Sequence, residues 1–223
     1  MNGEELIGTA VVPDGVELRL MRNDGDFAIF LDRIELMSTD LCASEEALAT
    51  LTCERLGERP APQLLIGGYG MGFTLRAALA ALGDDASVVV AELVPEVIQW
   101  ARGPMRDLTA GCLDDPRVVL VLEDVALLID AACEGYDAIL LDVDNGPEGL
   151  TRRLNDQLYS RSGLHAAMIA LRPGGILAIW SAEADLAFTR HLERVGFEVT
   201  EVTVAALPDG KGTCHHIWFA RKA

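Results

Sequence analysis

From residue 63 onward, short runs of apolar, largely β-branched residues alternate with longer segments in which apolar positions recur every three or four residues. The short runs fall at 63–66, 87–92, 117–122, 136–142, 175–181, 198–206 and 213–220, and they read as strands. Helical spacing holds at 73–82, 95–102, 125–133, 159–171 and 185–195. This alternation predicts a doubly wound, mostly parallel α/β sheet with helices on both faces. Only "LPDGKG" separates the last two strands, so they read as a terminal hairpin that places an antiparallel strand at the sheet edge.

The first 60 residues follow a different pattern. Strand-like runs at 16–21 and 27–31 are joined through Asn23, Asp24 and Gly25, and a third run occupies 34–37, which predicts a small antiparallel unit. Ser44 then offers an N-cap, Glu45 and Glu46 suit the positive end of a helix, and Ala47, Leu48, Leu51 and Leu56 recur at helical spacing. "GERPAP" closes the segment. The expected division is therefore 1–60, a β unit with a connecting helix, and 61–223, the main domain. Such a β unit is too small to bury a core by itself, so it should pack on the main domain or on a neighbouring subunit, in a homodimer.

With 223 residues, 50% of them hydrophobic and 24% charged, the chain can build one substantial core. Its longest apolar runs, such as 138–141 and 176–180, fall far short of the roughly 20 residues of a bilayer span, so a soluble, cytoplasmic protein is expected. The five cysteines are odd in number, scattered and without C-x-x-C spacing, which argues for reduced thiols. His215 and His216, adjacent on a strand, point to opposite faces and so cannot share one ion; no metal is expected. A formal net charge of −17 argues against nucleic acid and favours a cationic small molecule.

The chemistry gathers at the ends of the strands. The first strand runs into "GGYGMG", so a nucleoside is expected over Gly67, Gly68, Tyr69, Gly70 and Gly72, where bare backbone permits close approach. Glu92, about 20 residues on, ends the second strand and suits a ribose hydroxyl. Asp124 ends the third, within reach of an adenine amine, and Leu93, Glu123 and Val125 flank these two acids. Either acid alone also fits a helix cap or a loop carboxylate. The fourth strand ends "LLDVDNGPEGL", delivering Asp142 and Asp144 to the same edge.

The glycine loop with its acids, together with "ELVPEVIQWAR", "DDPRVVLVLEDV", "YDAILLDVDNGPEGL" and "LYSRSGL", resembles the S-adenosylmethionine-dependent methyltransferase superfamily. Within it the chain resembles the spermidine-synthase-like, polyamine aminopropyltransferase branch. The resemblance implies a Rossmann-like sheet with a reversed last strand. It implies a donor that is S-adenosylmethionine or its decarboxylated form, leaving S-adenosylhomocysteine or methylthioadenosine, and an amine acceptor bound and deprotonated by Asp142 and Asp144. The chemistry needs such acids: an alkylamine with a pKa near 10 is mostly protonated at pH 7 and must lose a proton before it attacks carbon.

The sequence departs from the branch in two places. The aspartate expected at the fourth position of the loop, which would receive the amine of the decarboxylated donor, is Gly70. A Tyr-His-Glu that would help form the amine cavity reads "SEEALAT", leaving Glu46 or Glu45. A divergent amine pocket walled by Tyr69, Trp100, Tyr159 and Trp180, with Glu46, is the expectation. Methyl transfer to a small molecule and a non-catalytic nucleoside-binding subunit are the alternatives.

Overall fold

The structure, a computed structural model, describes residues 4–13, 15–143 and 157–223. Two sheets form. The first is an antiparallel meander of β1 (Glu5–Val11), β2 (Glu17–Asn23), β3 (Asp26–Leu31) and β4 (Ile34–Ser38), in the order β1-β2-β3-β4. Asp24 and Gly25 turn β2 into β3 with φ of 49° and 105°, the left-handed backbone that a two-residue hairpin requires. Leu18, Leu20, Phe27, Ile29 and Leu31 are buried in one core with Leu48, Trp180 and Val97, so the small sheet packs on the main one.

Strand β1 has no counterpart in the sequence reading. Glu5–Val11 shows no clean alternation, contains Gly8, and carries a register shift between Leu6 and Gly8. The shift has a cause in packing. Trp100 lies so close to Gly8 that an added Cβ would come within 2.5 Å of the indole Nε1, so only glycine admits the ring.

Helix α1 (Ala43–Leu56) leads into the seven-stranded sheet. Its elements are β5 (Gln63–Gly67), α2 (Phe73–Ala81), β6 (Ser87–Ala91), α3 (Pro95–Arg102), α4 (Arg106–Thr109), β7 (Val118–Val121), α5 (Val125–Asp130), β8 (Tyr136–Leu141), α6 (Arg161–Ala170), β9 (Leu171–Ser181), α7 (Leu186–Val195), β10 (Glu198–Ala205) and β11 (Cys214–Arg221). The order is β10-β11-β9-β8-β5-β6-β7, with β9 to β7 mutually parallel and β11 antiparallel to both its neighbours. The reversed strand thus lies inside the sheet, not at its edge. Ile217 to Ala220 are buried on both faces, whereas β10 alternates exposed and half-buried positions and tolerates the rim.

Ser44 does not cap α1. The N-cap is Cys42, with no side-chain hydrogen bond, and Ser44 lies in the first turn, fully buried. Its hydroxyl is used elsewhere: Trp180 Nε1 donates to it at 3.0 Å, and it lies 2.8 Å from His215 Nδ1. Burial holds the His215 ring below its usual pKa, so a neutral imidazole can accept from Ser44 while Ser44 accepts from Trp180. The adjacent His216 instead faces Glu201, at 3.1 Å. Among the described residues no helix is long and apolar enough to cross a membrane, and no group of three or more His, Cys, Asp or Glu is disposed to hold a metal ion.

Candidate active site

Strand order reverses around β5: the chain adds β6 and β7 on one side and β8 and β9 on the other. A crevice opens at such a switch, beyond the carboxyl ends of the strands. Here it is a cleft of about 1090 Å³, including space open to solvent, roofed by the apolar face of the small sheet.

The floor is the loop after β5. Gly68 has φ of 86° and Gly70 of 53°, and both line the cleft. A Cβ on Gly68 would run into the Asp142 carbonyl oxygen, so the loop and the end of β8 meet only because this residue has no side chain. Gly67 ends β5 beneath Val125, and Gly72 packs on the Tyr69 ring, so these two shape the loop from behind. The Tyr69 hydroxyl points inward to Cys112 Sγ at 3.5 Å, and only its backbone N–H serves the site, donating to Glu92 Oε2 at 2.9 Å.

Glu92 accepts a second backbone bond, from Val94 at 2.8 Å through Oε1. Burial pushes its carboxyl up, while N–H groups of Val94, Tyr69, Gly70 and Leu93 pull it down. Both carboxylate oxygens thus accept backbone bonds, and the side chain lines the cleft, where a carboxylate suits a vicinal diol. Leu93, Glu123, Asp124 and Val125 line the same end. Asp124 also caps α5, accepting from Ala126 N–H at 2.9 Å, so it has a structural duty of its own.

At the other end stands Asp142. Burial pushes its carboxyl up to about 6, with a hydrogen bond from Thr74 opposing the shift. The Thr74 hydroxyl lies 2.7 Å from Asp142 Oδ2 and 3.2 Å from the Glu45 carbonyl oxygen. When Asp142 is ionised, Thr74 donates to it. When Asp142 is protonated it can donate to Thr74, whose own proton turns to the Glu45 carbonyl, so both charge states are satisfied. Asp144 lies outside the described residues.

The expected amine wall is rearranged. Trp180 lines the cleft, but Trp100 is committed to β1, and Tyr159 packs edge-on against Phe188 at 5.8 Å in the core on the opposite face of the sheet. Glu46 points away, pairing with Arg76 at 3.4 Å. Its neighbour Glu45 takes the place in the cleft. Met37 was also missed: its thioether packs over Gly70, where an added Cβ would meet Cε at 2.6 Å. No signal in the sequence sets Met37 apart from other residues of a strand.

A family model for the spermine/spermidine synthase domain matches residues 44–208. The chain belongs to that family. A polyamine aminopropyltransferase of Mycobacterium tuberculosis is 30% identical over 195 residues, covering 82% of this chain and 35% of that protein. Putrescine N-methyltransferase 4 of Nicotiana tabacum is 38% identical over 125 residues, 55% of this chain and 30% of that protein. The chain thus spans about a third of the length of the curated relatives it matches. The crystal structure of spermidine synthase from Thermotoga maritima superposes with a TM-score of 0.77 at 23% identity, over 98% of this chain and 73% of that one, and shows the same fold.

Proposed function

We propose that this spermidine-synthase-like chain is a transferase that moves an aminopropyl-type alkyl group from an S-adenosylmethionine-derived donor to a small amine. The observation that carries the reading is the placement of Asp142, raised to about 6, at one end of a cleft whose other end presents Glu92, Glu123 and Asp124. The donor supplies a carbon activated by an adjacent sulfonium. The residues of the chain do the rest. Glu92 holds the ribose hydroxyls, Glu123 and Asp124 face the base, and the bare backbone at Gly68 and Gly70 lets the nucleoside lie close. Asp142 holds the attacking amine and takes its proton, which frees the lone pair. Carboxylates around the cleft favour a cationic acceptor.

Methyl transfer is the second reading, and Met37 favours it. With a thioether over Gly70, no acid at that point selects a donor bearing an amine tail or repels one bearing a carboxylate. The proposal also carries the division at residue 60, a cytoplasmic setting and a homodimer. Exposed Leu6 and Val11 on β1 support the dimer, and light scattering at micromolar concentration tests it.

Calorimetric titration with methylthioadenosine, S-adenosylmethionine and its decarboxylated form, followed by product analysis with 1,4-diaminobutane, tests the function. Transfer of an aminopropyl group supports the first reading and transfer of methyl the second. A chain that binds the nucleosides and transfers nothing is a binding subunit.

A further inference from the structure

The threonine hydroxyls of α1 return to their own helix: Thr50 donates to the Glu46 carbonyl at 3.0 Å and Thr52 to the Leu48 carbonyl at 2.6 Å, each one turn back. Thr74, in the first turn of α2, has no helical turn behind it and is only 2% exposed. Its hydroxyl serves two other parts of the chain. It lies 2.7 Å from Asp142 Oδ2, just past β8, and 3.2 Å from the Glu45 carbonyl oxygen on α1. A valine of the same branched shape would fill this space, so packing alone does not call for the hydroxyl.

The backbone of Asp142 is fixed by the glycine loop: its N–H donates to the Gly67 carbonyl at 2.9 Å, and its own carbonyl abuts Gly68. Among the described residues, the carboxyl has Thr74 as its hydrogen-bond partner. The charged groups around it are acids, Glu45 from α1 and, in the same cleft, Glu92, Glu123 and Asp124. Arg76 on α2 is turned to Glu46 and to the Leu108 carbonyl instead. Burial raises the carboxyls of both Glu45 and Asp142, and the charge of Asp142 raises Glu45 further. A hydroxyl bond opposes the shift at Asp142, and among the described residues none does so at Glu45. Of two neighbouring carboxyls, the one that receives such a bond ionises first.

We propose that Thr74 is the positioning residue of the base: its hydroxyl holds the Asp142 carboxyl in one orientation through both charge states of a turnover, and makes Asp142 rather than Glu45 the acid that takes the proton. This rests on the amine-alkylation reading above. Before transfer Thr74 donates to the Asp142 carboxylate. The acceptor's ammonium gives its proton to that carboxylate, and the freed nitrogen lone pair forms the new C–N bond as the C–S bonding pair leaves with sulfur. A proton taken on Oδ1 leaves Thr74 donating to Oδ2. One held on Oδ2 is donated to Thr74, whose own proton turns to the Glu45 carbonyl. In neither case does the carboxyl lose its partner, so it is in place when it releases the proton to solvent and the next cycle begins.

The test compares Thr74→Val with Thr74→Ser. The Asp142 carboxyl is titrated by carbon NMR of protein labelled at aspartate, its resonance identified by its absence from Asp142→Asn. In parallel, kcat and kcat/KM for 1,4-diaminobutane are profiled against pH with the donor that the wild type turns over, S-adenosylmethionine or its decarboxylated form. Loss of a bond to the anion should raise the midpoint of both the titration and the kcat/KM profile of Thr74→Val by about one pH unit. Loss of orientation should lower its kcat by about tenfold even on the plateau above that midpoint. Thr74→Ser should restore both, with kcat within about threefold of wild type and methylthioadenosine affinity within about twofold in either variant. A structural role alone would lower the thermal midpoint and leave both pH midpoints where they were, which overturns the proposal. Should Thr74→Val not fold, Thr74→Ala makes the same comparison with Thr74→Ser. A folded variant without the hydroxyl that keeps the wild-type kcat on the plateau also overturns it. A wild type that transfers no alkyl group from either donor defeats the amine-alkylation reading, and the proposal with it, while the carboxyl titration still reads the bond itself.

Discussion

The two ends of the cleft are made of different materials. At the end proposed for the nucleoside the parts are mainly backbone, namely the left-handed turns at Gly68 and Gly70 and the N–H groups that hold Glu92. The end proposed for the acceptor is a matter of side chains brought from far apart in sequence: Glu45 from α1, Met37 from β4, Asp142 just after β8 and Trp180 from β9. Backbone geometry is fixed by a rigid parallel sheet and suits a constant partner. Side chains at the mouth of the cleft can be exchanged one by one while that sheet keeps its geometry, which suits a variable one.

The sharpest division of labour should appear in Asp142→Asn. Turnover is expected to fall by on the order of 10² to 10⁴ while methylthioadenosine affinity stays within a factor of about two. A parallel loss of nucleoside affinity would erase the distinction between the ends. Gly68→Ala is the variant designed to break it, because the new methyl must displace the Asp142 carbonyl and strain a φ of 86°. A cost of roughly 1 to 3 kcal/mol is expected in stability, read from denaturant melts, with both nucleoside binding and turnover reduced.

Glu92→Ala should act at one end only, weakening nucleoside binding by roughly 1 to 3 kcal/mol in a titration of the folded variant. Acidity supplies a further discrimination. The Asp142 carboxyl is raised to about 6 from an ordinary 3.8, so the folded state holds a proton that the unfolded state releases. Its stabilising contribution is present below about 4 and is lost as pH rises through about 6. Activity should move the other way, with kcat/KM rising by about tenfold between pH 5 and 7 as the base of the free enzyme ionises. Asp142→Asn should abolish the trend in activity and weaken the one in stability, to which Glu45 and Glu92, also raised by burial, still contribute. The smallest effect is expected from Asp124→Ala, where loss of the α5 cap costs about 1 kcal/mol in a thermal melt.

The contrast between the ends also explains what the sequence could and could not disclose. Glycine spacing and acids at strand ends are local signals, and the residues they single out, Gly68, Gly70, Glu92, Asp124 and Asp142, all line the cleft. The choice between Glu45 and Glu46 is not local. Adjacent helical residues point about 100° apart, and which one meets the cleft depends on the rotation of α1 as it packs on β9 and α2. The same holds for the aromatic residues. Trp100 and Tyr159 are as apolar as Trp180, but the first is taken up by the gap at Gly8 and the second by the opposite face of the sheet. Ser44 looked like a helix cap because a hydroxyl before two glutamates is typical of one, and nothing in the local pattern announces partners at 180 and 215.

The bond from Trp180 to Ser44 has a practical consequence. Of the three tryptophans, Trp218 is fully enclosed and Trp100 is wedged against β1, so Trp180 alone combines an indole at the cleft with a fixed hydrogen bond. Its emission is therefore a built-in optical reporter of occupancy. A ligand that excludes water from the cleft should shift that emission to the blue, and His215, 4.7 Å away ring to ring, supplies a quencher whose orientation Ser44 sets.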